Sequence, residues 1–409
     1  MTAPRKQALL YTVFAAFAVA TALVTHLTPH RVWGGTAAAA YALGAALTLA
    51  APSLPRTYLA RGVAAGSALL PLAVLTAAGS AQEEVSVVHR AGARLLAYGT
   101  PYLSPDQLTD QPYTAYNPYL PGMALFGVPR ELLHVDARAL FALTFAAAFA
   151  LSLRPHLRLP SRRFALLLGS PLVALPVAVG GDDLPVIGLS CLGLGLAARD
   201  RAGRAGLALA VAATLKATAW PALAVGLVLS AARGGRRAAS RFGAHAAPVL
   251  AAGVLLPALR DPGGFTANTV RYPLGLAGAA SSADAPLPGT LLAGLGPAGH
   301  AAAAALLLSA ALAVGGSLLL RPPRDGRAAG LRLALGLFAA SALMPASRFG
   351  YLVYPAVLVL WALWRNDHAP QQPPQPPQPP HADRHERLPA APGRDRDLRV
   401  RDGAPVPAG

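Results

Sequence analysis

Cysteine occurs once in this chain of 409 residues, as Cys191 within an apolar stretch, which excludes an internal disulfide and any thiolate metal cluster. Its expected role is packing. Charge is also scarce: Asp, Glu, Lys and Arg make up 13% of the residues, against about 25% in an ordinary soluble domain. Lysine is almost absent, since only Lys6 and Lys216 contribute to the 35 basic residues. The 10 histidines are scattered, and no metal site or cofactor is expected. A phosphate-cradling P-loop, a Gly-x-Gly-x-x-Gly turn opening a helix after a strand, and a Gly-x-Ser-x-Gly elbow are all missing. Nucleotide-sugar enzymes and serine hydrolases of the usual kinds are thereby disfavoured.

What the chain does have is apolar length. Hydrophobic residues make up 54% and mean hydropathy is +0.44. Runs such as Ala8 to Thr25, Ala37 to Ala51 and His300 to Leu320 approach the length needed to cross a hydrocarbon core. Ala, Leu, Gly and Val dominate them, so helices can approach closely through small residues. The net charge of +17 would suggest nucleic acid in a soluble protein. Here the arginines fall between apolar runs and in the tail, a pattern that reports membrane orientation, so no nucleic-acid partner is expected. Arg5 and Lys6 before the first run imitate a signal peptide, but no convincing cleavage site follows, and a retained first helix is expected.

Spans are expected near 8–25, 33–51, 58–79, 137–153, 164–179, 184–198, 243–259, 300–320, 328–344 and 351–364. Between Ala205 and Ala232 the apolar stretch is broken by Leu215-Lys216-Ala217-Thr218-Ala219-Trp220-Pro221, and the two short pieces read as a re-entrant or short helical hairpin. With that hairpin, the arginines at 56–61, 154–163, 199–204, 233–241 and 321–327 share one face, as the positive-inside rule requires. Before the tail, every acidic residue except Asp200 and Asp325 falls on the opposite face.

The fold expected is therefore an all-α, polytopic transmembrane helix bundle of about ten crossings plus the hairpin. Residues 1–365 form the membrane domain. A large extracytoplasmic first loop, Ser80 to Asp136, carries an interfacial helix. Residues 366–409, beginning Gln-Gln-Pro-Pro after a short link, read as a disordered Pro/Gln-rich cytoplasmic tail. Both termini are expected in the cytoplasm and the chain in the plasma membrane, in contact with membrane lipids.

The first loop opens with Gln82-Glu83-Glu84 and continues through Val85, Val88, Leu95 and Leu96 at helical spacing, an amphipathic helix with His89 and Arg90 off its apolar face. Carboxylates beside a His and an Arg suit a general base with an anion-binding group. Glu83 and Glu84 also occupy the first helical turn, where negative charge offsets the helix dipole by about 0.3–1 kcal/mol. Asp183, before Leu184-Pro185, reads foremost as a helix cap, and Asp182 and Asp183 alternatively as ligands of a sugar hydroxyl or a metal. Lys216, inside a broken apolar segment, either has a functional partner or reaches to the cytoplasmic interface. Arg271 and Arg348, in the later outer loops, suit bidentate phosphate binding or contact with bulk anionic lipid.

Gly99-Thr100-Pro101-Tyr102 and Tyr113-Thr114-Ala115-Tyr116-Asn117-Pro118-Tyr119-Leu120-Pro121-Gly122 follow in the same loop, a Tyr/Pro surface fit to stack on sugars or anchor at headgroups. Together with the acidic residue after a span, Gly181-Asp182-Asp183-Leu184-Pro185, the Lys216 segment and Pro345-Ala346-Ser347-Arg348-Phe349-Gly350-Tyr351, this order resembles the GT-C superfamily of membrane glycosyltransferases over roughly residues 80 to 365. The nearest group is the actinobacterial family of polyprenyl-phosphate-mannose-dependent mannosyltransferases. Glu84 stands where that family usually has Asp.

The resemblance implies a hexosyltransferase that moves a hexose, mannose in the family, from a polyprenyl-phosphate donor to a lipid or glycan acceptor at the outer face, with inversion. Glu84 would be the catalytic base, with Glu83 secondary. Arg271, Arg348, Lys216, His89 and Arg90 would meet the donor phosphate, and Tyr102, Tyr116, Asn117, Asp182 and Asp183 the substrates, with no metal. A transporter or flippase using the break at Lys216, and an inactive relative, are the alternative readings.

Overall fold

The computed structural model describes residues 3–153, 161–277, 279 and 283–366. The expected tail, 366–409, falls outside the described residues but for Asn366, as does most of the 154–163 arginine segment. Among the described residues there is no strand, only an isolated bridge between Asp284 and Ser347. Thirteen principal helices carry the architecture: α1 Ala3–Val24, α2 Thr28–Ala50, α3 Arg56–Ala77, α4 Glu83–Tyr98, α5 Ala137–Ser152, α6 Arg162–Leu168 and α7 Pro171–Val179, then α8 Asp183–Ala197, α9 Ala202–Leu215, α10 Trp220–Leu250, α11 Pro297–Leu320, α12 Gly326–Leu343 and α13 Val353–Asn366.

Among the described residues, six helical stretches are long and apolar enough to cross a membrane, or seven if α6 and α7, bent by 53° at their junction, count as one span. The about ten crossings expected from the sequence exceed this count. With the bent pair counted as one span, the difference lies in three expected crossings, at α5, α8 and the 349–365 stretch, which are apolar helices of only 10–17 residues, as is α9 of the hairpin. At 1.5 Å per residue such helices cover about 15–25 Å, short of a hydrocarbon core about 30 Å thick.

The helices run between two chemically distinct ends. At one, Arg56 and Arg162 donate to Gln7, at 3.4 and 2.8 Å. Arg199 donates to the Ser152 carbonyl at 3.0 Å, and Arg233 pairs with Asp200 at 2.7 Å and donates to the Arg324 carbonyl at 3.0 Å. At the other, Gln82 N–H donates to the Val179 carbonyl at 3.0 Å and Arg138 to the Ser80 carbonyl at 2.8 Å. Between them lies an apolar core including Trp33, Tyr41, Phe141, Phe145, Phe149 and Trp361, each buried. Cys191 is buried there too.

The broken segment has a local explanation. Lys216 is extended (φ −147°, ψ 146°), ending α9, and a single 3₁₀ turn, Ala217–Ala219, leads to Pro221 in the first turn of α10. The carbonyl of Leu215, left open by the end of α9, accepts the Leu120 N–H at 3.0 Å. α10 bends sharply at Gly234 and Gly235, the latter at φ 62°, and its second half returns so that the Phe242 ring lies beside Gly226. The Asp200–Arg233 pair therefore ties the start of α9 to the end of α10's first half, which makes the two a hairpin with both outer ends together.

Candidate active site

α4 forms over Glu83–Tyr98 with both glutamates in its first turn, and Gly99 ends it in the left-handed region at φ 70°. Val85, Val88 and Ala91 pack inward, and Gly92 lies against Gly127 so closely that a Cβ would sit 2.3 Å from the Gly127 carbonyl carbon. This contact fixes α4 against the bundle and aims Glu84 across to the last turn before α13. There Glu84 forms an ion pair with Arg348.

A second charge cluster joins the first. The Lys216 ammonium lies 2.9 Å from Asp182 Oδ2 and 2.5 Å from Asp183 Oδ1, although only the Asp183 contact is aligned as a hydrogen bond. Tyr354 Oη donates to the same Asp183 oxygen at 2.7 Å and meets Thr218 Oγ1 at 2.8 Å. The Tyr119 ring covers the ammonium at 5.0 Å. One cation thus faces two carboxylates in a largely enclosed site. Burial pushes the Asp182 carboxyl up to about 6, with Asp183 and Glu84 adding to that and Lys216 opposing it. Tyr351 lies within electrostatic reach of Lys216, Asp182, Asp183 and Arg348.

Asp183 was expected foremost as a helix cap. The cap position of α8 is instead Asp182, without a side-chain cap bond, and Asp183 turns to Lys216 and Tyr354. A hydrogen bond to an ammonium is roughly twice as strong as a neutral one, so Lys216 competes successfully for that carboxylate. Lys216 therefore has partners, Asp182 and Asp183, at the end of the bundle away from the arginine cluster.

The Tyr/Pro loop lines the approach. Tyr102 Oη donates to the Tyr119 carbonyl at 2.9 Å, and Asn117 Nδ2 to the Pro101 carbonyl at 3.3 Å. Tyr116 stacks on Tyr272 with ring centroids 4.5 Å apart. Gly122 passes so close to α9 that a Cβ would lie 2.4 Å from Thr214 Oγ1. Beside Leu120 and Ala217, next in sequence to Tyr119 and Lys216, an apolar groove of about 770 Å³ opens between Trp220, Val254, Phe265 and Val270.

Other residues named from the sequence lie elsewhere. Glu83 is exposed and accepts from Tyr113 Oη at 3.2 Å. Burial lowers the His89 imidazole below its ordinary value, and its Nε2 accepts the Ala137 N–H at 3.1 Å, at the start of α5. Arg90 donates to the Thr114 carbonyl at 2.6 Å. Arg271 is exposed. Three residues back, Asn268 is fully buried, accepting from Asn117 N–H at 2.9 Å and donating to the carbonyls of Leu103 and Gly264. Sequence reasoning missed Asn268, Tyr354 and Thr218. The signal for Tyr354 was a hydroxyl three residues after Tyr351 in an otherwise apolar helix. Among the described residues no group of three or more His, Cys, Asp or Glu is arranged to hold a metal ion.

Compared with family models, curated proteins and solved structures, the chain matches none.

Proposed function

We propose that the chain is a membrane hexosyltransferase that takes a hexose, mannose in the family it resembles, from a polyprenyl-phosphate donor and passes it with inversion to a lipid or glycan acceptor at the outer face of the plasma membrane. The observation that carries this reading is a pair of charge clusters, Glu84 with Arg348 and Lys216 with Asp182 and Asp183, drawn from four distant parts of the chain, with an apolar groove opening beside Leu120 and Ala217, the sequence neighbours of Tyr119 and Lys216. The proposal includes about ten crossings plus the α9–α10 hairpin, with α4 lying along the outer interface and both termini in the cytoplasm.

In this scheme the isoprenoid chain occupies the groove and its phosphate reaches Arg348, which exchanges Glu84 for phosphate oxygens in a bidentate pair. Glu84, released, accepts the proton of the acceptor hydroxyl. The new bond forms from that oxygen to the anomeric carbon, the bond from the anomeric carbon to the phosphate oxygen breaks, and polyprenyl phosphate leaves against Arg348. The Lys216 charge is already matched by Asp182 and Asp183, so Lys216 positions the hairpin tip. The test is the purified full chain in nanodiscs, supplied with radiolabelled polyprenyl-phosphate mannose and a panel of lipid and glycan acceptors. Transfer with release of polyprenyl phosphate is expected. Donor that crosses proteoliposome membranes unaltered would support the flippase reading instead.

A further inference from the structure

At the arginine-rich end, opposite the site just described, a hollow of about 830 Å³ lies between the start of α9, the break in α10 and the 321–325 turn. Arg201, Arg204, Arg233, Arg237, Arg241 and Arg324 line it, with Asp200 as the one acidic residue. Asp200 is held at φ 59°, a region uncommon for a residue with a side chain. Its carboxylate grips Arg233 in a two-point pair at 2.8 and 2.7 Å, and that pair holds the Asp200 carboxyl below its ordinary value. None of the other five arginines has an ion pair among the described residues.

We infer that this hollow binds a phosphate-bearing anion, either the headgroup of an anionic lipid or a free phosphorylated small molecule. The positive-inside rule explains why arginines occupy loops at this end, but it does not require that they converge on one cavity from three separate segments. Convergence of like charge is unfavourable until an anion compensates it. Guanidinium groups are planar forks that match phosphate oxygens two at a time, and they remain charged at any working pH. Ser230 and small residues such as Gly203 and Gly234 make up the rest of the wall. The Asp200–Arg233 pair shows one anionic group already accommodated in that geometry. This inference does not depend on the transferase reading.

The experiment uses the full chain in phosphatidylcholine nanodiscs, titrated with dioleoyl phosphatidylglycerol, with glycerol 3-phosphate and with inorganic phosphate, and read by native mass spectrometry. Saturable binding is expected, and Arg204→Gln/Arg237→Gln/Arg241→Gln is expected to weaken it by about tenfold or more, each lost contact being a charge-assisted hydrogen bond. The comparison variant, Arg236→Gln/Arg321→Gln/Arg327→Gln, removes the same charge from exposed residues outside the hollow and should weaken binding by less than about twofold. Saturation by phosphatidylglycerol alone assigns a lipid headgroup; competition by either soluble anion assigns a free phosphate compound. Equal weakening in the two triple variants, or no saturable binding of any probe, overturns the inference. Should the first triple variant lack a cooperative thermal transition, Arg237→Gln alone takes its place under the same criteria.

Discussion

At Lys216 a single ammonium meets two carboxylates in a site that leaves 13% of its own side chain exposed and 5% of that of Asp182. Removing the cation leaves two neighbouring negative charges with little water, so Lys216→Met is expected to destabilise the protein by about 3–5 kcal/mol. Adding Asp183→Asn should recover part of that loss. Thermal unfolding of both variants in nanodiscs checks this, and an unchanged midpoint for Lys216→Met would contradict it. Asp182 gives a pH-dependent expectation. Its folded carboxyl sits at about 6, above the ordinary 3.8, so the folded state binds more protons than the unfolded chain between these values, and the group's contribution to stability is lost as pH rises through that window. Relative to Asp182→Asn, the wild type should lose thermal stability from pH 4 to pH 7; a constant difference would contradict the raised carboxyl. Glu84, Asp182, Asp183, Lys216 and Arg348 were legible in the sequence because charge stands out against an apolar background. Their pairing was not, since Glu84 and Arg348 are 264 residues apart and spacing carries no information at that range. Arg271 was conspicuous for its charge, while buried Asn268, which ties the 260–299 segment to Leu103 and Asn117 of the 80–136 loop, was not.

At the level of elements, α4 positions Glu84 and depends on small residues for its seat. Its existence was legible from Val85, Val88, Leu95 and Leu96 at helical spacing and from the acidic first turn. Its inward face was legible only in part: Leu96, expected on the apolar side, is 51% exposed, while Ala91 and Gly92 are buried. Small residues add little to an apolar pattern, yet they permit the closest approach. A Cβ on Gly127 would lie 2.0 Å from the Val88 carbonyl oxygen, so Gly127→Ala must shift α4 or the loop under it. Thermal stability should fall by about 1–3 kcal/mol, as for other overpacked contacts, and hexose transfer should fall with it. Gly243→Ala, where nothing lies within 4 Å, is the matched control and should be neutral or mildly stabilising. Equal behaviour of the two variants in unfolding scans would show that the Gly92–Gly127 contact does not seat α4. The α9–α10 hairpin was legible because Lys-x-x-x-Trp-Pro interrupts an apolar run, whereas its ends could be joined in space only through Asp200 and Arg233.

For the whole molecule, the alternation of arginine-rich and acidic segments along the sequence reappears as two ends of one helical bundle, because each pass carries the chain from one set to the other. The number of membrane crossings is less legible, as several apolar helices have only 10–17 residues, short of a bilayer's hydrocarbon core. Orientation is testable with little background, since the one native thiol, Cys191, is buried. In Thr109→Cys, a thiol in the exposed part of the first loop should react with an impermeant maleimide on intact cells; labelling only after permeabilisation would invert the assignment of faces. The central claim is that Glu84, held against Arg348 at the acidic end, is the base of a hexosyl transfer. Single-turnover transfer by Glu84→Gln in nanodiscs tests it most directly, because the amide keeps the size of the side chain and removes its basicity. Donor binding should persist while the transfer rate falls by about 10²-fold or more; near-wild-type turnover with intact folding would remove Glu84 from the chemistry.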